Sequence, residues 1–173
     1  SKSLPSKRLA LKSWSIAAGI ALVIVLIGYF LIKTLGMTPG EKIFQSYYEP
    51  KQASTSELST ANQEQSFAIS AYQDQNFNQA ESLFENLKSV KESDLNQLYL
   101  GLSQLALNRP EKAIPTLSLI SPESEFFIEA NWYMAMGFLK LNKLEEAEKH
   151  LKIAAKKPNL YSEKSAEILI KLK

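Results

Sequence analysis

Residues 142–158 read NKLEEAEKHLKIAAKKP, and how this stretch folds decides the architecture. Leu144, Ala147, Leu151, Ala154 and Ala155 recur at helical spacing with Glu and Lys between them, so one helix face can be buried and the other solvated. The small Ala147 follows two glutamates and stands four residues before Leu151. A second helix can come close at such a position.

Two earlier stretches have the same shape: FNQAESLFENL (77–87) and PEKAIPTLSLI (110–120), beside LEEAEKHLKIA (144–154). Aligning Ala80, Ala113 and Ala147 gives spacings of 33 and 34 residues, and a large residue follows each by four: Phe84, Leu117 and Leu151. Twelve residues ahead of each alanine stands another small residue, Ala68, Gly101 and Ala135. Before each of these second helices lies an amide residue, Asn76, Asn108 or Asn142, suited to a left-handed turn or to starting the next helix. Pro110 fits a first helical turn, whereas Pro115 lies about a turn further in and should disturb the helix there. Pro158 stops the third unit, and 161–173 supplies an amphipathic helix to cover the last apolar face.

This periodicity resembles the tetratricopeptide repeat over 61–173, with repeats at 61–93, 94–127 and 128–160 and a capping helix at 161–173. The resemblance implies an all-α superhelix of helix hairpins whose concave face binds peptides or partner helices. Carried over, the partner-binding groove falls on Gln65, Ile69, Tyr72, Leu98, Leu102, Leu105, Trp132, Met136 and Leu139, and Trp132 is the expected anchor. Family members that clamp a C-terminal carboxylate use Lys, Arg and Asn where this chain has Gln65, Ile69, Tyr99, Glu129 and Tyr133, so that binding mode is not expected. The large residue preferred near the start of each first helix is replaced by Glu64, Gln97 and Asn131. The trough can be open to a partner, filled by the chain's own spacer, or covered in a homodimer.

Ahead of the repeats, 13–32 (SWSIAAGIALVIVLIGYFLI) carries no charge, and 20 such residues at about 1.5 Å each match the roughly 30 Å bilayer core. The expectation is an N-terminal transmembrane helix at 13–35, with the lipid bilayer as a partner. Lys2, Lys7, Arg8 and Lys12 precede it in a basic tail (1–12) and only Lys33 follows closely, which places the N-terminus in the cytoplasm and the repeats in a bacterial periplasm. The chain begins with Ser rather than Met, which leaves room for a cytoplasmic portion ahead of it. Residues 36–60 read as a spacer broken by Gly36, Pro39, Gly40 and Pro50, with a short aromatic helix whose Phe44, Tyr47 and Tyr48 serve either packing or recognition.

The net charge of +2 hides an asymmetry: the 15 basic and 18 acidic side chains beyond Lys33 leave the body acidic, which argues against nucleic acid as a partner. With no cysteine, thiol nucleophiles and thiolate metal sites are excluded. The single histidine, His150, sits among lysines and reads as a solvated helix residue, and no phosphate loop, paired histidines or calcium loop appears. No cofactor, metal or catalytic residue is expected. The functional expectation is therefore a membrane-tethered periplasmic scaffold or adaptor for protein partners, similar in layout to translocon-associated repeat proteins. The alternative is a transmembrane anti-sigma-factor-like protein, for which FQSYYEP (44–50) carries the resemblance. A mitochondrial import receptor would share the layout.

Overall fold

The computed structural model describes residues 19–20, 22–29, 31, 36–90 and 93–173. The chain divides into two units, Ser1–Met37 and Thr38–Lys173. In the first unit, residues 19–20, 22–29 and 31 are helical, with Ile20, Leu22, Ile24 and Val25 among its exposed apolar side chains.

The expected transmembrane helix is corrected at this point. Among the described residues no helix is long and apolar enough to cross a membrane. The remainder of 13–35 (13–18, 21, 30 and 32–35) and the basic tail 1–12 lie outside the described residues. The bilayer as a partner, the single-pass inner-membrane placement and the cytoplasm-to-periplasm topology all rested on that span and fall with it.

In the second unit every regular element among the described residues is a helix. The elements are α1 (Pro39–Tyr47), α2 (Thr55–Thr60), α3 (Gln63–Gln73), α4 (Phe77–Val90), α5 (Asp94–Ala106), α6 (Pro110–Leu117), α7 (Phe127–Lys140), α8 (Leu144–Ala154) and α9 (Ser162–Lys171). From α3 onward, α3/α4, α5/α6 and α7/α8 form three hairpins, and each second helix packs on the first helix of the next pair, ending with α8 on α9.

The hairpin turns close in one way. Gln75, Asn108 and Asn142 take left-handed backbones (φ 59°, 59° and 55°). In each turn the next residue's N–H reaches the carbonyl five back: Asn76 to Ala71 (2.9 Å), Arg109 to Gln104 (2.8 Å) and Lys143 to Phe138 (2.9 Å). This is the Schellman closure of a helix end. In the first turn the left-handed residue is thus Gln75, one before the asparagine expected there, and the 33- and 34-residue repeat is kept by the turns as well as by the alanines.

Ala68, Ala80, Ala113, Ala135 and Ala147 are wholly buried. Gly101 lets the second hairpin close, since a Cβ there would lie 2.5 Å from Leu117 Cγ. Phe84, Leu117 and Leu151 complete the core beside these small residues. Pro115 lies inside α6, which spans 8 residues against 14 in α4 and 11 in α8. A proline there removes one helical hydrogen bond.

The spacer folds more fully than expected. Three capping boxes start its helices and the first hairpin: Thr38 with Glu41, Ser54 with Glu57, and Asn62 with Gln65. In each, a side chain and a backbone amide satisfy each other reciprocally, which stabilises helices too short to persist alone. The Ser/Thr-rich end of the spacer therefore holds α2; Ser54 and Glu57, three apart, are the signal.

Candidate functional site: the face lined by the first helices

Helices α3, α5, α7 and α9 line one face of the second unit, and the spacer crosses it. Helix α1 packs on α7, and the approach is set by Gly40: a Cβ there would fall 2.3 Å from the Leu139 carbonyl oxygen. The Gly40 N–H donates to Asn142 Oδ1 at 3.1 Å. Beyond α1 the chain runs with neither helix nor strand from Tyr48 (φ −74°, ψ 121°) to Ser54 (φ −78°, ψ 157°), both extended.

Aromatic rings fix the start of this run. Phe44 stacks on Tyr48 with centroids 4.6 Å apart, and Tyr48 meets Tyr133 of α7 edge-on at 6.3 Å. Lys140 lies over the Phe44 ring at 5.2 Å and Lys171 over the Tyr47 ring at 4.8 Å, with the Lys171 ammonium also donating to Tyr47 Oη. Such cation–ring contacts strengthen as water is excluded.

Charges fix its centre. The Lys51 ammonium lies 3.2 Å from Glu57 Oε1 and 3.0 Å from Glu129 Oε2, with all three side chains at most 12% exposed. Tyr99 Oη donates to Glu57 Oε2 at 3.3 Å, and Tyr161 Oη donates to Glu129 Oε1. One cation thus sits between two carboxylates, each also held by a tyrosine, so the buried charges are both paired and hydrogen-bonded. Burial pushes the Glu57 carboxyl up, but the Ser54 amide and hydroxyl and the Lys51 ammonium outweigh it, and the carboxyl titrates below its ordinary value. Tyr133 Oη donates to the Glu49 backbone carbonyl at 3.2 Å, and Lys164 pairs with the Glu49 carboxylate at 3.0 Å.

The seat is not filled perfectly. A cavity of about 250 Å³ between the spacer and α7–α9 is lined by Tyr47, Pro50, Trp132 and Tyr161 among others, and one of about 230 Å³ lies between Pro50, Lys51, Gln52 and Tyr72. The Tyr48 and Tyr72 hydroxyls are buried without a hydrogen bond of good geometry. Burial raises the titration of Tyr48, Tyr72, Tyr99, Tyr133 and Tyr161 well above the ordinary tyrosine value, which keeps these hydroxyls neutral.

Apart from Gln65, the residues expected in the groove are all buried in this chain. Ile69, Leu98, Leu102, Leu105, Met136 and Leu139 fill the interior. Tyr72 borders the spacer, and Trp132 stacks on Tyr161 of the connection into α9 at 5.3 Å. The spacer aromatics Phe44, Tyr47 and Tyr48 pack against the core. Sequence reasoning missed Lys51, Glu57, Tyr161 and Lys164, because nothing in a linear pattern pairs residues on opposite sides of three hairpins.

His150 departs from the solvated reading. It is half-buried, stacks on Phe138 at 5.2 Å, and its Nδ1 lies 2.8 Å from Asn131 Oδ1. Asn131 Nδ2 donates to the Phe127 carbonyl, so Oδ1 is the acceptor facing the ring and the proton sits on Nδ1. A larger cleft of about 570 Å³ opens beside α3 and α4 at Phe67, Leu83 and Leu87. No spacer residue and no tyrosine lines it.

No protein-family model matches the chain, and a comparison with curated proteins finds no match. Among solved structures the chain is similar to the type III secretion translocator chaperone SycD of Yersinia enterocolitica. The TM-score is 0.60 and the identity 23%, over 70% of this chain and 86% of that one. At this identity the likeness shows the fold: an all-α array of helical hairpins.

Proposed function

We propose that the second unit is a tetratricopeptide-type protein-interaction module whose first-helix face takes an extended segment of a partner protein. The observation that carries this reading is the spacer itself. An unstructured run, flanked by aromatic residues and carrying one buried lysine, is seated against tyrosine hydroxyls and a carboxylate contributed by successive hairpins. Peptide recognition commonly works this way, with side chains entering pockets and polar groups fixing the main chain. The role is binding rather than catalysis, in keeping with a fold shared with a translocator chaperone, and a chaperone-like holding of a client's extended segment is the form it takes here.

The test is photo-crosslinking in cells from an unnatural residue at Leu160, which is 83% exposed and borders the Trp132–Tyr161 cavity, with exposed Lys149 of α8 as control. A discrete adduct from Leu160 and none from Lys149 supports the reading. Equal adducts from both, or none from either, count against it.

A further inference from the structure

Resting on that reading, we infer that the spacer is a displaceable internal ligand, and that the partner segment competing with it carries an aromatic pair followed within a few residues by a lysine or arginine. With the spacer lifted away, the face retains two cations above ring-sized seats, Lys140 over the Phe44 site and Lys171 over the Tyr47 site. It also retains a single carboxylate, Glu129, at the place now taken by the Lys51 ammonium, and the Tyr133 hydroxyl that donates to a main-chain carbonyl. An incoming chain must offer rings under the lysines, a carbonyl to Tyr133 and a cation to Glu129. A neutral or acidic residue in the last place would leave Glu129 buried without its counter-charge.

Displacement is favoured by how the spacer is held. Its central contacts are charged, Lys51 with Glu129 and Glu49 with Lys164, and the Tyr48 hydroxyl is buried without a hydrogen-bond partner. Glu57, the spacer's own carboxylate on Lys51, takes its place through a local capping box with Ser54 rather than through the hairpins alone. Competition of this kind lowers the apparent affinity for a partner by the fraction of chains in which the face is open.

The probe is a fluorescent peptide with the sequence of residues 38–60, titrated against the full chain and against a full-length Tyr48→Ser/Lys51→Ser variant, which leaves the face intact. The variant should bind at least about tenfold more tightly than the parent chain, and a peptide carrying glutamate in place of Lys51 should lose at least about tenfold. Equal binding by both chains would overturn the competition while leaving the face a peptide site. Binding by neither, with the variant folded by circular dichroism, would overturn both readings. Should the variant not fold, hydrogen exchange on the parent chain decides. Amides of residues 48–57 exchanging at least roughly tenfold faster than those of 98–105 support a displaceable segment, and equal protection overturns it.

Discussion

Lys51 of the spacer places its ammonium 3.0 Å from Oε2 of Glu129 on α7, with 77 residues of chain between them and both side chains 12% exposed. A contact of this kind joins the spacer to the third hairpin through charge rather than apolar area. Removing one member of a buried pair leaves the other desolvated and uncompensated. Lys51→Met should therefore cost about 3 kcal/mol in urea denaturation, toward the lower end of such effects because the freed spacer can rehydrate.

Two of the turn asparagines share a left-handed backbone but differ in their side chains. Both are exposed, but Asn142 accepts the Gly40 N–H at 3.1 Å and so ties α1 to the third hairpin. Glycine suits the backbone of both turns. Asn142→Gly should be less stable than Asn108→Gly by about 1 kcal/mol, the worth of one hydrogen bond, as read from paired denaturation curves.

Gln97 on α5 is 2% exposed, and neither its Oε1 nor its Nε2 finds a hydrogen-bond partner among the described residues. Replacing an unsatisfied buried amide by an apolar group of similar shape removes a desolvation cost. Gln97→Met should raise stability by about 1 kcal/mol, visible as a rise in thermal midpoint.

Five of the seven tyrosines have titrations raised by burial, as noted for Tyr48, Tyr72, Tyr99, Tyr133 and Tyr161. A group raised on folding contributes stability in full below its unfolded value, here about 10, and loses it as pH climbs past that value toward the folded one. Stability should therefore fall steeply above about pH 10. In a spectrophotometric titration these five should form tyrosinate only together with loss of helical circular dichroism.

The hairpin array was legible because its signals are local or periodic. Ala80, Ala113 and Ala147 mark the close approaches, and the turn amides stand at nearly the same register, with Gln75 rather than Asn76 taking the left-handed backbone since a Schellman turn is set by helix length and tolerates a non-asparagine. The long apolar run ahead of the repeats has the composition of a membrane helix, yet among the described residues no helix is long and apolar enough to cross a membrane. The groove residues were legible as apolar, but which of them face a ligand and which fill the interior depends on how hairpins stack. Lys51 was beyond reach altogether: its meaning comes from Glu129 and Glu57, one on a distant helix and the other three residues after a serine that makes it a cap. His150 looked solvated because its neighbours in sequence are lysines, while its neighbours in space are Phe138 and Asn131.

The seating of the spacer against the first-helix face is tested most directly by a double-mutant cycle on Lys51→Met and Glu129→Gln, with stabilities from urea denaturation of the full chain. A coupling energy of about 1–3 kcal/mol is expected for partners sharing one buried network. A coupling within about 0.3 kcal/mol of zero, the additivity of sites that do not touch, would contradict it.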